Sequence, residues 1–552
     1  MNVSDKFVEI LAEEGISDVF GIPGEQIMPL YKALSTSDIN HILTRHEQAA
    51  AHAADGYYRS TGKIGVCIAT ASPGALNFTM AVATAYKDNV PILVITGDNE
   101  LKYKGSDYFQ TTPQVEIFKN ITQESYNPLN GTEALYVLRA SLFALKNNPK
   151  GPIHINLSKD VLLSTEFEDF ELCYLCEDDL SNISKAQELI DKSQKPLFIL
   201  GAGAISQGQN IKGIAQKYNI PVTTTFHGKG IISEYEDINL GMVGTRSTPR
   251  SKYAFENADC IIALGIKASE RTFPEIPDNL IHVNINKDVL IGDYPIHGKV
   301  EDFLLNVNFK KVDWLDEILD IDNETAVEGI HDDLKPQAAI FEILNKFEDN
   351  IVVSDAGSHT TWTTLLKISK KPGQLLFSGG LAPMGYGLPA AIGACVASDE
   401  KIILITGDGG FQMNPQELAT LKEYDLNVIV FILNNSEFGI IRQWQESFYD
   451  MNPYQIKLEN PDFVKLAASY AIDGVRVDNL DDLKLLLQKN LTGPLVVEVI
   501  VESEDVPLPK WYFFISLIFC GDFFSNDIYA EYFFINSLII ALISPTSSRG
   551  AK

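Results

Sequence analysis

Short, almost wholly apolar runs recur along this chain, each closed by Gly, Pro, Asp or Asn. In the first third they are "KIGVCIAT", "VPILVITGD" and "GPIHINLSKDV". In the middle come "KPLFILGAGAI", "ADCIIALGI" and "NLIHVNIN", and further on "NIVVSDAG", "KIILITGDG", "NVIVFILNN" and "PLVVEVIV". They are rich in Val and Ile, short, and without polar alternation. Those properties predict strands buried on both faces, as in a parallel sheet. Longer stretches with helical spacing separate them. The expected fold is therefore α/β, with three tandem doubly wound parallel-sheet domains over residues 1–165, 184–310 and 336–508. The acidic, irregular stretches 165–183 and 310–335 read as connectors.

Length agrees with this division, because 552 residues exceed what one core can organise. The last segment, 511–552, breaks the pattern. It is crowded with Phe, Ile and Tyr, and has no helical or strand period. Asp522, Asp527 and Glu531 interrupt its apolar runs, so none reaches the ~18 residues of a membrane span. An interfacial patch, a buried arm and a reading-frame error are the alternatives; the abrupt change after Lys510 favours the last.

The net charge of −29, from 44 basic and 73 acidic residues, argues against a nucleic-acid partner and against an anionic membrane surface. Six scattered cysteines fit a reducing compartment, and a cytoplasmic protein is expected. Cys173 and Cys176 form one C-x-x-C, with no second pair to complete a zinc site. The first residues lack the charged and apolar regions of a signal peptide.

Two stretches carry candidate chemistry. In "ITGDGGFQMNPQELATLKEYDLNVIVFILNNSEFG", two strands end in Gly407-Asp408-Gly409-Gly410 and in Asn434-Asn435. Both ends are expected at the carboxyl edge of adjacent parallel strands, where open α/β sheets bind ligands. Asp408 and Asn435 supply hard oxygens, and a backbone carbonyl just beyond supplies a third; phosphates could complete an octahedron around Mg²⁺. The glycines admit phosphate to backbone N–H groups at a helix N-terminus. A plain strand–turn–helix with an Asp cap is the simpler alternative, and the paired N-N makes it less satisfactory. The second stretch, "RHEQAAAHAADGYYRSTG", reads as an Ala-rich helix headed by Glu47. That carboxylate either favours the helix dipole or performs proton chemistry.

Together with "FGIPGEQIMPLY", "SGGLAPMGYGLPAAIGA" and "NPDFVKLAASY", these motifs resemble the thiamine-diphosphate-dependent enzymes, and closely the acetolactate synthase branch, over about residues 1–508. The resemblance implies a pyrimidine-binding first domain, a Rossmann-like central domain and a diphosphate-binding third domain. It implies thiamine diphosphate and Mg²⁺ as cofactors and pyruvate as substrate. It also implies a homodimer or homotetramer, Glu47 of one chain meeting Asp408 of another; a regulatory small subunit is compatible with it.

Carried over residue by residue, Glu47 is the acid that activates the cofactor's pyrimidine. Asp408, Asn435 and the Glu437 carbonyl hold the metal. Gly357, Ser358 and His359, with Gly409, Gly410 and Gly439, border the diphosphate; Gly24 and Gly74 also border the cofactor. Met384 is the apolar wedge, unless it merely fills core, and Ala382 offers a carbonyl to the exocyclic amine. Phe109, Gln110, Lys159, Arg271 and Trp444 surround the reacting keto acids. The family's Glu after Phe-Gln is Thr111 here, and Ser358 stands where Gln is common. Lys267 replaces an Arg, and Gly244–Thr248 a G-M-H-G segment, both usually bordering FAD, so FAD is left open. The expected reaction joins two 2-keto acids to 2-acetolactate or 2-aceto-2-hydroxybutyrate, a step of branched-chain amino acid biosynthesis. A simple 2-keto acid decarboxylase, or an inactive homologue without a working C-terminal lid, are the alternatives.

Overall fold

The structure is a computed structural model that describes residues 1–147, 151–170, 179–273, 275–323, 327–331 and 333–507. The readings of the C-x-x-C pair and of the 511–552 segment lie outside the described residues.

Three six-stranded sheets, parallel throughout, follow one another along Met1–Val506. The first runs, in spatial order, Asn40–Leu43, Asp18–Gly21, Gly65–Ala69, Ile92–Asp98, Ile153–Ser158 and Glu124–Tyr126. The third runs Leu375–Leu376, Ile351–Ser354, Ile402–Gly407, Val428–Asn434, Leu495–Ile500 and Asp473–Val477. Numbered within each domain, both have the strand order 2-1-3-4-6-5. The middle sheet, built on Pro196–Leu200, Val222–Thr224, Asn239–Met242, Cys260–Leu264, Leu280–Asn284 and Tyr294–His297, has the order 3-2-1-4-5-6 of a Rossmann fold.

Every apolar run singled out in the sequence is one of these strands. The strands that gave no signal are short and mostly lie at or next to a sheet edge, such as Asn40–Leu43 and Asp473–Val477. An edge strand is covered less completely, so its composition is mixed.

One connector expectation changes. Within 310–335, Leu315–Leu319 is helical, and the buried Trp314 donates its indole N–H to the Pro196 carbonyl at 3.2 Å. Val312, Trp314, Leu315 and Ile318 fill the middle core, so this stretch finishes a domain before it links two. After Leu200 the chain makes a 3₁₀ turn, Ala202–Gln207, before the helix Gly208–Tyr218.

The first and third domains do not stand apart within the chain. One hydrophobic core runs through both, joined by the helices Glu47–Thr61 and Gly387–Ser398. Glycine permits their closeness. A Cβ on Gly56 would sit 2.1 Å from the Ala390 carbonyl oxygen, and one on Gly393 would sit 1.8 Å from that of Ala53. The pairing of 56 with 390 and 53 with 393 makes the helices antiparallel.

Buried charge reinforces the contact. Arg59 bonds Asp55 at 2.6 Å and Asp88 at 2.8 Å, and donates to the Phe377 carbonyl at 3.1 Å. Tyr386 donates to Asp55 at 2.8 Å. The Asp88 carboxyl lies well below its ordinary range, because Arg59 and His227 outweigh its burial.

Candidate active site

In the third domain, Gly407 pairs with Leu433 in register, so Asp408 and Asn434 leave the carboxyl ends of neighbouring strands together. The strand order reverses between Ile351–Ser354 and Ile402–Gly407, which makes this edge a switch-point crevice. The chain turns into short helices here. Asp408 opens one, and its Oδ1 accepts the Gly409 N–H at 3.0 Å. Asp408 is 3 % exposed, and burial pushes its carboxyl up from the ordinary value.

Asn460 holds the other oxygen. Its Nδ2 donates to Asp408 Oδ2 at 2.6 Å and to Asn434 Oδ1 at 2.9 Å. Asn434 is thereby a structural residue, also donating to Glu498 at 2.7 Å. Asn435 reaches the half-buried rim, where its Nδ2 donates to Ser503 at 3.2 Å. The Glu437 side chain is committed elsewhere, to Arg442 at 3.1 Å and Lys457 at 2.6 Å, while its backbone carbonyl accepts the Gly439 N–H at 3.0 Å and keeps one lone pair for a cation.

Ser358 and His359 start the helix Ser358–Leu366 from Gly357 and lie beside this cluster. A Cβ on Gly439 would sit 3.2 Å from Asn435 and 3.5 Å from Ser358. His359 is buried with its Nε2 unpartnered, and burial holds the ring near 4, neutral at physiological pH. A Cβ on Gly409 would meet the Phe438 ring at 2.6 Å and the Met384 methyl at 3.2 Å. Met384 is half-buried, unlike a core residue, and Ala382 is exposed with a positive φ of 52°. Trp444, 38 % exposed, stands on the helix that Gly439 begins.

Asp355, which the sequence reading passed over, ties these turns together. Its buried carboxylate accepts N–H groups from Ala356 at 2.7 Å and Gly385 at 3.0 Å, and the Thr406 hydroxyl at 3.2 Å. Burial raises it to about 6.

The donor set fits a diphosphate bound through Mg²⁺. It offers one carboxylate and neutral oxygens rather than a cage, and among the described residues no three His, Cys, Asp or Glu side chains cluster as a metal site. The unpartnered His359 Nε2 can donate to a phosphate oxygen in the tautomer that protonates it.

The first domain gathers the remaining residues at its own carboxyl edge. Glu47 begins its helix, and Asn77 Nδ2 donates to Glu47 Oε2 at 2.8 Å. A Cβ on Gly74 would lie 3.1 Å from Glu47 Oε1, and one on Gly24 would collide with Thr70. Lys159 reaches Glu25, the neighbour of Gly24, at 3.2 Å. Phe109 and Gln110 lie in a loop held by Asn99, which donates to the Phe109 carbonyl at 2.8 Å, and by a Ser72–Thr112 hydroxyl contact. Phe109 is 72 % exposed, and Gln110 sits at a positive φ of 61°. Glu47 is half-buried rather than enclosed, and the nearest groups to its carboxylate come from its own domain.

Arg271 is exposed on the middle domain and donates to the Gly379 carbonyl at 3.0 Å, beside the turn that carries Ala382 and Met384.

Three family models cover the chain. The N-terminal TPP binding domain of thiamine pyrophosphate enzymes matches residues 1–117, the central domain 183–307, and the C-terminal TPP binding domain 355–499. The chain is 36% identical over 554 residues to a protein of Methanocaldococcus jannaschii described as probable acetolactate synthase large subunit, covering 92% of this chain and 93% of that one. With the acetolactate synthase large subunit of Lactococcus lactis it shares 34% over 541 residues, 92% and 93% of the two chains. With the chloroplastic acetolactate synthase 1 of Nicotiana tabacum it shares 32% over 553 residues, 92% and 82%. Matched along all three domains, with an oxygen-rich crevice on the third and a lone carboxylate at the edge of the first, the chain belongs to the thiamine pyrophosphate enzymes, in the branch of the acetolactate synthase large subunits.

Proposed function

We propose that this protein decarboxylates pyruvate and joins the remaining two-carbon unit to a second 2-keto acid. Two pyruvates then give 2-acetolactate and CO₂; 2-ketobutyrate as acceptor gives 2-aceto-2-hydroxybutyrate. Bound thiamine diphosphate supplies the electron sink that decarboxylation of a 2-keto acid requires. Asp408, Asn435 and the Glu437 carbonyl hold Mg²⁺. Gly357, Ser358, His359, Gly409, Gly410 and Gly439 receive the diphosphate, while Met384, Ala382, Gly24 and Gly74 shape the space for the rings. Glu47 presents a carboxyl at the edge of that space. Phe109, Gln110, Lys159 and Trp444 line the approach, and Arg271 presents a guanidinium suited to a substrate carboxylate.

The observation that carries this reading is the separation of the two residue sets. Glu47 begins one helix of the antiparallel pair at one end, and Met384 lies just beyond the other end. At 1.5 Å per residue that places them about 18 Å or more apart along the axis. One chain thus offers two halves facing opposite ways, and a second copy completes both. This supports a homodimer as the smallest active unit. The description of relatives as large subunits supports a small-subunit partner.

A flavin fits less well. Gly201 and Gly203 are occupied by close packing, with Cβ positions 2.4 Å from the Gly265 carbonyl oxygen and 2.9 Å from its Cα. Arg246 is committed to Thr364 at 2.8 Å and Thr361 at 2.7 Å, and Lys267 to the Lys87 carbonyl at 3.0 Å. The described cysteines Cys67, Cys260 and Cys395 are free and buried, which supports a reducing compartment such as the cytoplasm. Among the described residues no helix is long and apolar enough to cross a membrane.

The test is acetolactate formed from pyruvate with and without thiamine diphosphate and Mg²⁺, beside Glu47→Gln. Cofactor-dependent product that the variant loses is the expected result. Aldehyde in place of the coupled product would replace this reading with a decarboxylase.

A further inference from the structure

Glu47 has two oxygens in unlike surroundings. Oε2 accepts the Asn77 side-chain N–H at 2.8 Å. Oε1 faces the place where Gly74 lacks a side chain, since a Cβ there would stand 3.1 Å from it. Asn77 closes the short helix Gly74–Asn77, which leaves the strand Gly65–Ala69 at the carboxyl edge of the first sheet. Glycine and asparagine thus come from one turn. One leaves room beside Oε1 and the other occupies Oε2.

An amide N–H can bond only an oxygen that is not itself pointing a proton at it. From this geometry we propose that Asn77 is a positioning residue that fixes the orientation of the Glu47 carboxyl and directs its proton to Oε1, the oxygen that the amide does not occupy. The proposal rests on the reading of Glu47 as the acid that activates thiamine diphosphate. An unrestrained glutamate would present either oxygen, and would turn its proton away from the cofactor in part of the population. The bond also fixes a long side chain before the cofactor arrives, so less freedom is lost on binding.

The experiment uses the full-length protein loaded with thiamine diphosphate and Mg²⁺, without keto acid. The rate of hydrogen–deuterium exchange at the cofactor's C2 position is followed by NMR after acid quench. Cofactor affinity is followed separately by tryptophan fluorescence. Asn77→Ala and the near-isosteric Asn77→Asp are compared with the parent and with Glu47→Gln.

Asn77→Ala is expected to retain cofactor affinity within a few-fold and to slow exchange roughly 10²-fold, at the low end of what a positioned acid–base group contributes. Asn77→Asp places two carboxyls in hydrogen-bond contact, and these cannot both ionise. The pH profile of its exchange rate is therefore expected to move, with exchange recovering toward the parent rate only where the Asp is protonated and can donate to Oε2 as the amide does, a recovery that proximity of the two carboxyls alone would not produce. Parent-like exchange and an unmoved profile in the Asn77 variants, with exchange lost in Glu47→Gln, would overturn the role of Asn77 alone. Parent-like exchange in Glu47→Gln would overturn the reading of Glu47 on which it rests. If Asn77→Ala does not fold, the pH profile of Asn77→Asp decides.

Discussion

Adding one methyl group at Gly393 tests how the first and third domains are joined. A Cβ there would stand 1.8 Å from the Ala53 carbonyl oxygen, where ordinary contact begins near 3.4 Å. Neither partner is a flexible side chain, so the helices must part by roughly 1.5 Å, with overpacking costs of about 1–3 kcal/mol at well-packed sites. A gap of that order also forfeits dispersion along the shared core. A loss of about 3 kcal/mol is expected for Gly393→Ala, a fall in thermal midpoint of roughly 5–10 °C for a cooperative unit of domain size.

The same change at Gly213 serves as the internal comparison. It lies within the helix Gly208–Tyr218, and its Cβ would meet nothing within 4 Å. Alanine there favours the helix by about 0.5–1 kcal/mol. Differential scanning fluorimetry of the two variants against the parent gives the reading. Gly56→Ala should resemble Gly393→Ala, and the double variant should lose less than the sum, because one displacement relieves both contacts. A Gly393→Ala protein as stable as the parent would refute the view that these glycines set the separation of the domains.

Glu417 is fully buried and is raised to about 7, chiefly by burial, while it accepts the Arg45 N–H at 2.9 Å. Its folded value lies above its unfolded one, so the folded state holds the proton more tightly. That contribution is complete below about pH 4.5 and is lost as pH rises through 7. Glu417→Gln should therefore gain thermal stability relative to the parent as pH rises from 5 to 8; a constant difference would contradict this. Asn460→Ala removes the amide that holds Asp408, and the Mg²⁺ concentration for half-maximal cofactor binding should rise about 10–100-fold, as for other ligand-orienting partners. His359→Ala removes the unpartnered ring nitrogen from the crevice of the third domain. Isothermal titration with thiamine diphosphate should show affinity about tenfold weaker, one lost hydrogen bond to a charged group; an unchanged affinity would place the phosphates elsewhere.

The chain's own pattern settled the class of fold. A strand buried on both faces can be built from almost nothing except apolar residues, so the central strands announce themselves. The turns that follow them carry Asp408 and Asn435, because ligands meet a parallel sheet at its carboxyl edge; Glu47 instead follows the edge strand Asn40–Leu43, and its own motif marked it. What the sequence did not disclose is who holds these groups. Asn460 lies 52 positions from Asp408, and Asn77 lies 30 from Glu47. Nothing in an asparagine's local sequence says which carboxylate it will face.

Edge strands and the helix Leu315–Leu319 were hidden because their partial cover leaves polar positions among the apolar ones. The tertiary structure alone decided that the first and third domains share a core within one chain. Gly56 and Gly393 mean nothing singly, since a glycine inside a helix is a cost until another backbone approaches it. That approach sets Glu47 and Met384 at opposite ends of one helix pair, and it arises only when segments more than three hundred residues apart come together.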